Sequence, residues 1–273
     1  MQPQHSYSIL FRALLFYIST TLLFVAATAM VPMTGARPEA TVTIGTAAVL
    51  TFITLVFFCH RDKLTLKQTG VYFHKQSIPR FLKGFVVGLL MVLAWILLVI
   101  CVTPFRLSMG AMPGMRTIFS ALLLYLFVAV REELVFRSYF LTRLAASYSN
   151  VTALIIVTAV FILEHRLAGM SWRLAVIGSG TGGLLFGLAA LKTKGLALPV
   201  GLHCAWNFGR WMFGLTGSPG IWQYTNTKGH EPYGETVALM LHAIIFLIAI
   251  SGILISGKTA NRSFSHAITR IFK

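Results

Sequence analysis

The sequence predicts an all-α, polytopic integral membrane protein with about eight membrane-spanning helices, arranged as a single membrane domain over residues 1–273. Only 11% of its residues are charged, whereas 56% are hydrophobic. The mean hydropathy is +0.78, and a soluble domain normally carries about 25% charged residues. Because the apolar residues fall in many separate long runs, one soluble core of this size would not bury them.

A membrane-spanning helix needs about 20 mostly apolar residues. The segments that approach this requirement are 9–31, 43–60, 84–103, 117–136, 150–165, 174–191, 196–214 and 236–256. The sixth and seventh are separated only by residues 192–195, which predicts a tight helical hairpin. Gly195 suits the end of the first helix of this hairpin, and Pro199 suits the first turn of the second.

The charge distribution indicates a lipid surface as partner and excludes nucleic acid. The net charge is +16, from 23 Lys and Arg against 7 Asp and Glu. These basic residues flank apolar runs in short connections, as topology determinants do, and form no basic helix. The 61–83 connection is the most basic and contains one acid, Asp62, so we expect it on the cytoplasmic side. Counting spans from there places the 131–150 region, the 192–195 turn and both termini on that side.

Three of the seven acids lie in or at the end of predicted spans: Glu132, Glu133 and Glu164. A carboxylate near the bilayer centre costs about 2.5–3.5 kcal/mol on insertion scales, so such residues are functional candidates. Glu133 and Arg137 have the i,i+4 spacing of an intrahelical ion pair, which would leave Glu132 turned toward another helix. The alternative is that this segment leaves the membrane and its charges are solvated.

Two further segments bring polar side chains into apolar surroundings. His165 follows Glu164 at the end of the fifth span, where an interfacial role is the alternative. His203 and Asn207 lie one helical turn apart within the seventh span. They can act as hydrogen-bond donors to one oxygen, or simply hydrogen-bond between helices. Arg210, one turn further on, is either a site residue or, as we expect, a side chain reaching the interface.

Together these segments place a carboxylate, two imidazoles and an amide on three helices. These groups suffice to hydrolyse an amide with an activated water. A Zn²⁺ ion held by Glu132, His165 and His203 is the other route, although the HExxH motif of the commonest zinc peptidases is absent from the sequence.

The ordered motifs resemble those of the CAAX protease and bacteriocin-processing (CPBP) family, also called the Abi family. They read Glu-Glu-x-x-x-Arg at 132–137, Phe-x-x-x-His at 161–165 and His-x-x-x-Asn at 203–207. The Gly-rich stretch 183–187 and the turn and helix start at 192–200 also resemble the family. The family-like core covers about 117–210 and contains four helices, between variable N-terminal helices 9–103 and a C-terminal helix 236–256.

The resemblance implies an intramembrane peptidase that cuts a membrane-associated polypeptide near the cytoplasmic face, in a bacterial inner membrane. Glu132 would activate water together with His165, and His203 and Asn207 would stabilise the oxyanion. Glu133 and Arg137 would hold the helix in place. Members are described both as metallopeptidases and as glutamate peptidases. A non-proteolytic immunity or scaffold protein and a transporter are the alternatives, and Glu164 either modulates the site or lies at the interface.

Overall fold

The computed structural model describes residues 3–33, 40–217, 220–225 and 231–256. The helices within these ranges are α1 Pro3–Met33, α2 Ala40–Arg61, α3 Ser77–Val102, α4 Met115–Val135, α5 Leu141–Ser147, α6 Asn150–Leu167, α7 Gly180–Thr193, α8 Ala197–Met212 and α9 Glu231–Ser256. A short 3₁₀ helix covers Leu66–Thr69, and π-helical turns cover Phe136–Phe140 and Leu174–Ser179. Strands β1 Arg106–Met109 and β2 Trp222–Thr225 pair in antiparallel register. Residues 257–273, which form the C-terminus predicted on the cytoplasmic side, lie outside the described residues.

The all-α membrane fold is confirmed. Among the described residues, six helices are long and apolar enough to cross a membrane: α1, α2, α3, α6, α9, and α7 with its preceding π turn. The other two predicted spans, 117–136 and 196–214, are also helical but fall short of these limits of length and apolarity. α8 has only 16 residues, and α4 carries two arginines and two glutamates. These two helices carry the candidate residues Glu132, His203 and Asn207 and contact several of the other helices.

The predicted hairpin between the sixth and seventh spans is confirmed. α7 ends at Thr193 and α8 begins at Ala197, so Pro199 lies in the first turn of α8. The left-handed residue at the turn is Lys194, with φ +50°, rather than Gly195. This turn packs against the 61–83 connection, where Arg80 Nη1 donates to the Thr193 carbonyl at 3.1 Å. We call this side of the bundle the hairpin end and the side that carries β1 and β2 the strand end.

The 131–150 region, predicted as part of a connection at the cytoplasmic side, is helical over most of its length. α4 runs through the π turn into α5, with a kink at Ser138, whose ψ of −109° is not helical. The Ser138 hydroxyl donates to the Leu134 carbonyl. This bond gives a backbone carbonyl near the kink a hydrogen-bond partner. Arg131, Glu133 and Arg137 are all buried. The alternative that these charges are solvated at the interface is therefore wrong.

Three glycines allow α8 to lie directly against α3. A Cβ at Gly201 would lie 2.2 Å from the Phe81 carbonyl oxygen, and one at Gly84 would lie 2.3 Å from the Leu198 oxygen. A Cβ at Gly88 would lie 2.7 Å from the Leu202 oxygen. Gly84 and Gly88 form the small-xxx-small pattern by which membrane helices approach closely. The position of α8, and of the side chains it carries, depends on this backbone contact.

Asp62 joins three parts of the bundle at the hairpin end. Its carboxylate accepts from Arg12 Nη1 of α1 at 2.6 Å and from the Tyr139 hydroxyl at 2.6 Å, and it pairs with Arg143 Nη2 at 3.3 Å. Burial alone would raise the pKa of Asp62, but the bonds from Tyr139 and Arg12 and the charge of Arg143 outweigh it and lower that pKa below its usual value. Asp62, the one acid of the basic 61–83 connection, thus holds α1 and α5 together with the π turn between α4 and α5.

Candidate active site

Glu133 is fully buried and holds two other side chains. Its Oε2 lies 3.5 Å from Arg137 Nε, which confirms the predicted i,i+4 ion pair. Its Oε1 accepts a hydrogen bond from His203 Nδ1 at 3.0 Å. The second contact was not predicted, because it joins α4 to α8. Glu133 therefore orients the imidazole of His203 as well as pairing with Arg137.

Glu132 points away from Glu133 and faces the other nitrogen, Nε2, of the His203 imidazole. Its Oε2 lies 3.7 Å from His203 Nε2, which is too long for a hydrogen bond. This Oε2 is buried and has no hydrogen-bond partner among the described residues. Because the Glu133 carboxylate can only accept, His203 donates through Nδ1. The Glu132 carboxylate and His203 Nε2, which face each other, can thus each accept a proton.

The second imidazole is held by its own helix. His165 Nδ1 donates to the Phe161 carbonyl at 2.9 Å, one turn earlier in α6. Its ring packs on Phe161, with centroids 4.3 Å apart, and His203 stacks on Phe186 with centroids 4.6 Å apart. Both histidines use Nδ1 as the donor, so Nε2 is the ring nitrogen left for chemistry in each.

One cavity of about 520 Å³ brings the predicted site residues together: Glu132, His165, His203 and Asn207 all line it. Sequence analysis missed several further lining residues, among them Trp95 of α3, Tyr224 of β2 and Glu235 of α9. Burial, reinforced by the charge of Glu235, raises the pKa of Tyr224 to about 12, so this phenol keeps its proton at neutral pH. Residues from the strand-end connections complete the lining, so the cavity extends toward that end.

His242 and Arg210 also line this cavity. The sequence analysis assigned no role to His242, which lies within 3.1 Å of the Thr181 hydroxyl and 3.2 Å of the Gly178 carbonyl oxygen. Arg210 was expected to reach the membrane interface, and this stays a prediction. Its Nη2 donates to the Leu215 carbonyl at 3.3 Å, and the side chain lines the cavity.

Glu164, like the supporting residues Glu133 and Arg137, does not line the cavity. Its Oε1 pairs with Arg131 Nη1 at 3.0 Å, and its Oε2 accepts from the Tyr17 hydroxyl at 3.1 Å. Glu164 therefore ties α6 to α4 and α1. Both its interfacial position and its role as a secondary site residue stay predictions.

The structure does not assemble the zinc ligands that the sequence allowed. Across the described ranges, no three His, Cys, Asp or Glu side chains are grouped so that they could hold a metal ion. Glu132 and His203 are neighbours, but His165 does not complete a three-ligand set with them. The donor set therefore does not fit a catalytic zinc, which requires three protein ligands around one point.

The helices and their composition define a polytopic α-helical membrane protein. Residues 114–209 match the family described as type II CAAX prenyl endopeptidase Rce1-like. This match confirms the resemblance read from the three motifs and covers all of them. The matched segment, about a third of the chain, is thus similar to proteases of the CAAX type. No curated protein matches the chain.

Proposed function

We propose that this protein is an intramembrane endopeptidase that hydrolyses a peptide bond of a membrane-associated polypeptide. The observation that carries the proposal is the facing pair Glu132 and His203, whose Oε2 and Nε2 atoms lie 3.7 Å apart. Both side chains line one cavity with His165 and Asn207. The CAAX-type family match supports the same class of reaction.

The reaction begins with a water that Glu132 deprotonates as general base. His165 lines the same cavity, and its Nε2, which makes no hydrogen bond to the described residues, takes this proton from Glu132 and delivers it to the leaving amine. The attacked carbonyl carbon becomes tetrahedral, and its oxygen becomes an oxyanion. Collapse of this intermediate breaks the C–N bond, so one water is consumed and a carboxylate and an amine are formed.

The oxyanion needs donors that are in place before the reaction. Asn207 carries two amide N–H groups whatever the pH. His203 donates from Nε2 only when that nitrogen is protonated, because its Nδ1–H is already given to Glu133. Asn207 is therefore the unconditional donor, and His203 contributes in its doubly protonated form. Glu133 and Arg137 act as positioning residues that fix the His203 ring.

The family match suggests a substrate with a prenylated C-terminal peptide, and the bacterial inner membrane is the proposed location. The test uses purified protein and one fluorogenic peptide prepared with and without a prenyl group. Glu132→Gln, His165→Ala and His203→Ala should each abolish cleavage, whereas His60→Ala, which does not line the cavity, should cleave normally. A chelator-treated sample and metal analysis of the same preparation test the non-metal assignment. Full activity of all three site variants would refute the mechanism.

A further inference from the structure

A second cavity of about 450 Å³ lies at the hairpin end, on the far side of Arg137 from the candidate active site. It is bounded by the 3₁₀ turn Leu66–Thr69, by α5 and by the turn between α7 and α8. Lys67, Lys194 and Arg137 line it, together with the polar side chains of Thr142 and Asn150. No Asp or Glu is among the described residues that line it. Its charge is therefore of one sign.

Arg137 lines this cavity with a guanidinium that lies over the Phe161 ring, Cζ 4.6 Å from its centroid, and whose Nη1 has no hydrogen-bond partner among the described residues. The side chain is 1% exposed; its Nε lies 3.5 Å from Glu133 Oε2, and its Nη2 donates to the Gly183 carbonyl at 3.4 Å. Nη1 is buried and has no hydrogen-bond partner among the described residues. A buried donor that makes no hydrogen bond costs about 1–3 kcal/mol, and more if it is charged. An acceptor from outside the chain would relieve this cost.

The start of α8 adds a second, independent feature that favours an anion. Leu196, which precedes the helix, lines the cavity and supplies no side-chain hydrogen bond to cap it. The helix dipole places partial positive charge at this end of α8, whereas Pro199 in its first turn has no N–H to donate. A phosphate is the anion that helix starts and arginines bind most readily.

We propose that the second cavity binds the phosphate of an anionic ligand, with Lys67, Lys194 and Arg137 as its donors. The most accessible source is the headgroup of an anionic phospholipid, because the cavity lies beside the basic 61–83 connection, where lipid headgroups and basic residues meet. Inorganic phosphate shares the same chemistry. The bound phosphate would lie against the arginine that pairs with Glu133, but the binding itself does not depend on the proposed peptidase activity.

The experiment measures binding to purified full-length protein in neutral detergent. Dihexanoyl phosphatidylglycerol and inorganic phosphate are each titrated while thermal unfolding is followed, with sodium chloride as the ionic-strength control. Native mass spectrometry reports whether phosphatidylglycerol stays bound. Lys67→Ala/Lys194→Ala removes two lining cations, and Lys75→Ala/Lys83→Ala removes two exposed lysines of the same connection that do not line the cavity. Ala145→Leu fills the cavity without changing charge.

The Lys67→Ala/Lys194→Ala protein should bind the ligand at least tenfold more weakly, Ala145→Leu should also weaken binding, and Lys75→Ala/Lys83→Ala should bind as the unmodified protein does. Retention of phosphatidylglycerol beyond that of phosphate identifies a lipid headgroup, and equal stabilisation by both identifies a simple phosphate site. Either result supports the proposal. Equal binding by the two lysine double variants, or no stabilisation by either ligand, would overturn it.

Discussion

Replacing Gly201 by alanine tests whether the α3–α8 contact positions the candidate site. The added Cβ would lie 2.2 Å from the Phe81 carbonyl oxygen and 2.9 Å from the Phe85 backbone nitrogen. Both neighbours are backbone atoms of α3, so no side chain can turn away to make room. Close carbon–oxygen contacts in proteins begin near 3.3 Å, so the helices must separate locally by about 1 Å.

The effect on activity follows from this displacement. α8 carries His203 and Asn207, while Glu132 lies on α4, so a shift of α8 moves the imidazole and the amide relative to the carboxylate. A misplacement of about 1 Å can cost about 10²-fold in rate. Stability should fall by about 1–3 kcal/mol from overpacking, less the gain of up to about 1 kcal/mol that alanine brings over glycine in a helix. The net effect on stability is therefore smaller than the effect on turnover.

The assay compares kcat of Gly201→Ala with that of Gly252→Ala, using a peptide that the unmodified protein cleaves. Gly252 lies in α9 and has nothing within 4 Å of its would-be Cβ, so Gly252→Ala should keep full turnover and gain slightly in thermal stability. Gly201→Ala should lose about 10²-fold in kcat while remaining folded in detergent. Unchanged kcat and unchanged thermal unfolding for Gly201→Ala would show that the backbone contact does not position the site.

Three further outcomes follow from the same structure. Asn207→Ala should raise the barrier by about 2.7–4 kcal/mol, a 10²–10³-fold loss in kcat with little change in KM, and an unchanged kcat would remove its role as oxyanion donor. Glu133→Gln leaves Arg137 buried without its counter-charge, so thermal unfolding should show a loss of about 3–5 kcal/mol, larger than that of Glu132→Gln. Because the folded-state pKa of Asp62 is lowered, its contribution to stability is present above the unfolded pKa of about 3.9 and is lost as pH falls through the lower folded value. Thermal unfolding from pH 7 to pH 3 should therefore show a decline that Asp62→Asn lacks, and identical profiles would contradict this.

The helices and the three motifs were predictable because their signals are local. Long apolar runs, the turn at 192–195 and the i,i+4 spacings of Glu133 with Arg137 and His203 with Asn207 are all visible within a few residues. The contacts between elements were not. Nothing near Glu133 in the chain indicates that it accepts a hydrogen bond from His203, 70 positions away. In the sequence Trp95 is one of many apolar residues of α3, and its place in the cavity depends on the packing of α3 against α8.

Two of the eight predicted spans do not meet the usual limits of length and apolarity, for a physical reason that concerns the candidate site. α4 carries charges and α8 is short. Arg131 and Glu133 of α4 are buried and paired with protein groups instead of facing lipid. Hydropathy therefore describes these two helices of the candidate site poorly, whereas α6, which carries His165, meets the limits.

The position of the cavity brings two sequence-based predictions into conflict. The basic 61–83 connection predicts that the hairpin end is cytoplasmic, whereas the family resemblance predicts cleavage near the cytoplasmic face. Arg173 and Tyr224 of the strand end also line the cavity that contains Glu132 and His203. The cavity therefore extends toward the end of the bundle opposite the 61–83 connection. The charge count also gives this orientation less support, because Arg131 and Arg137 of the 131–150 region are buried and paired with protein groups.

Labelling of single-cysteine variants tests the orientation of the protein in the membrane. Replacements at exposed positions, Lys75→Cys at the hairpin end and Arg116→Cys at the strand end, are each introduced into a chain whose native Cys59, Cys101 and Cys204 are changed to alanine. If basic connections determine the topology, a membrane-impermeant maleimide added to intact spheroplasts labels Arg116→Cys and spares Lys75→Cys. The cavity then extends toward the non-cytoplasmic side, and peptide substrates must reach it from there. The reverse labelling pattern would contradict the charge-based orientation and restore cleavage near the cytoplasmic face.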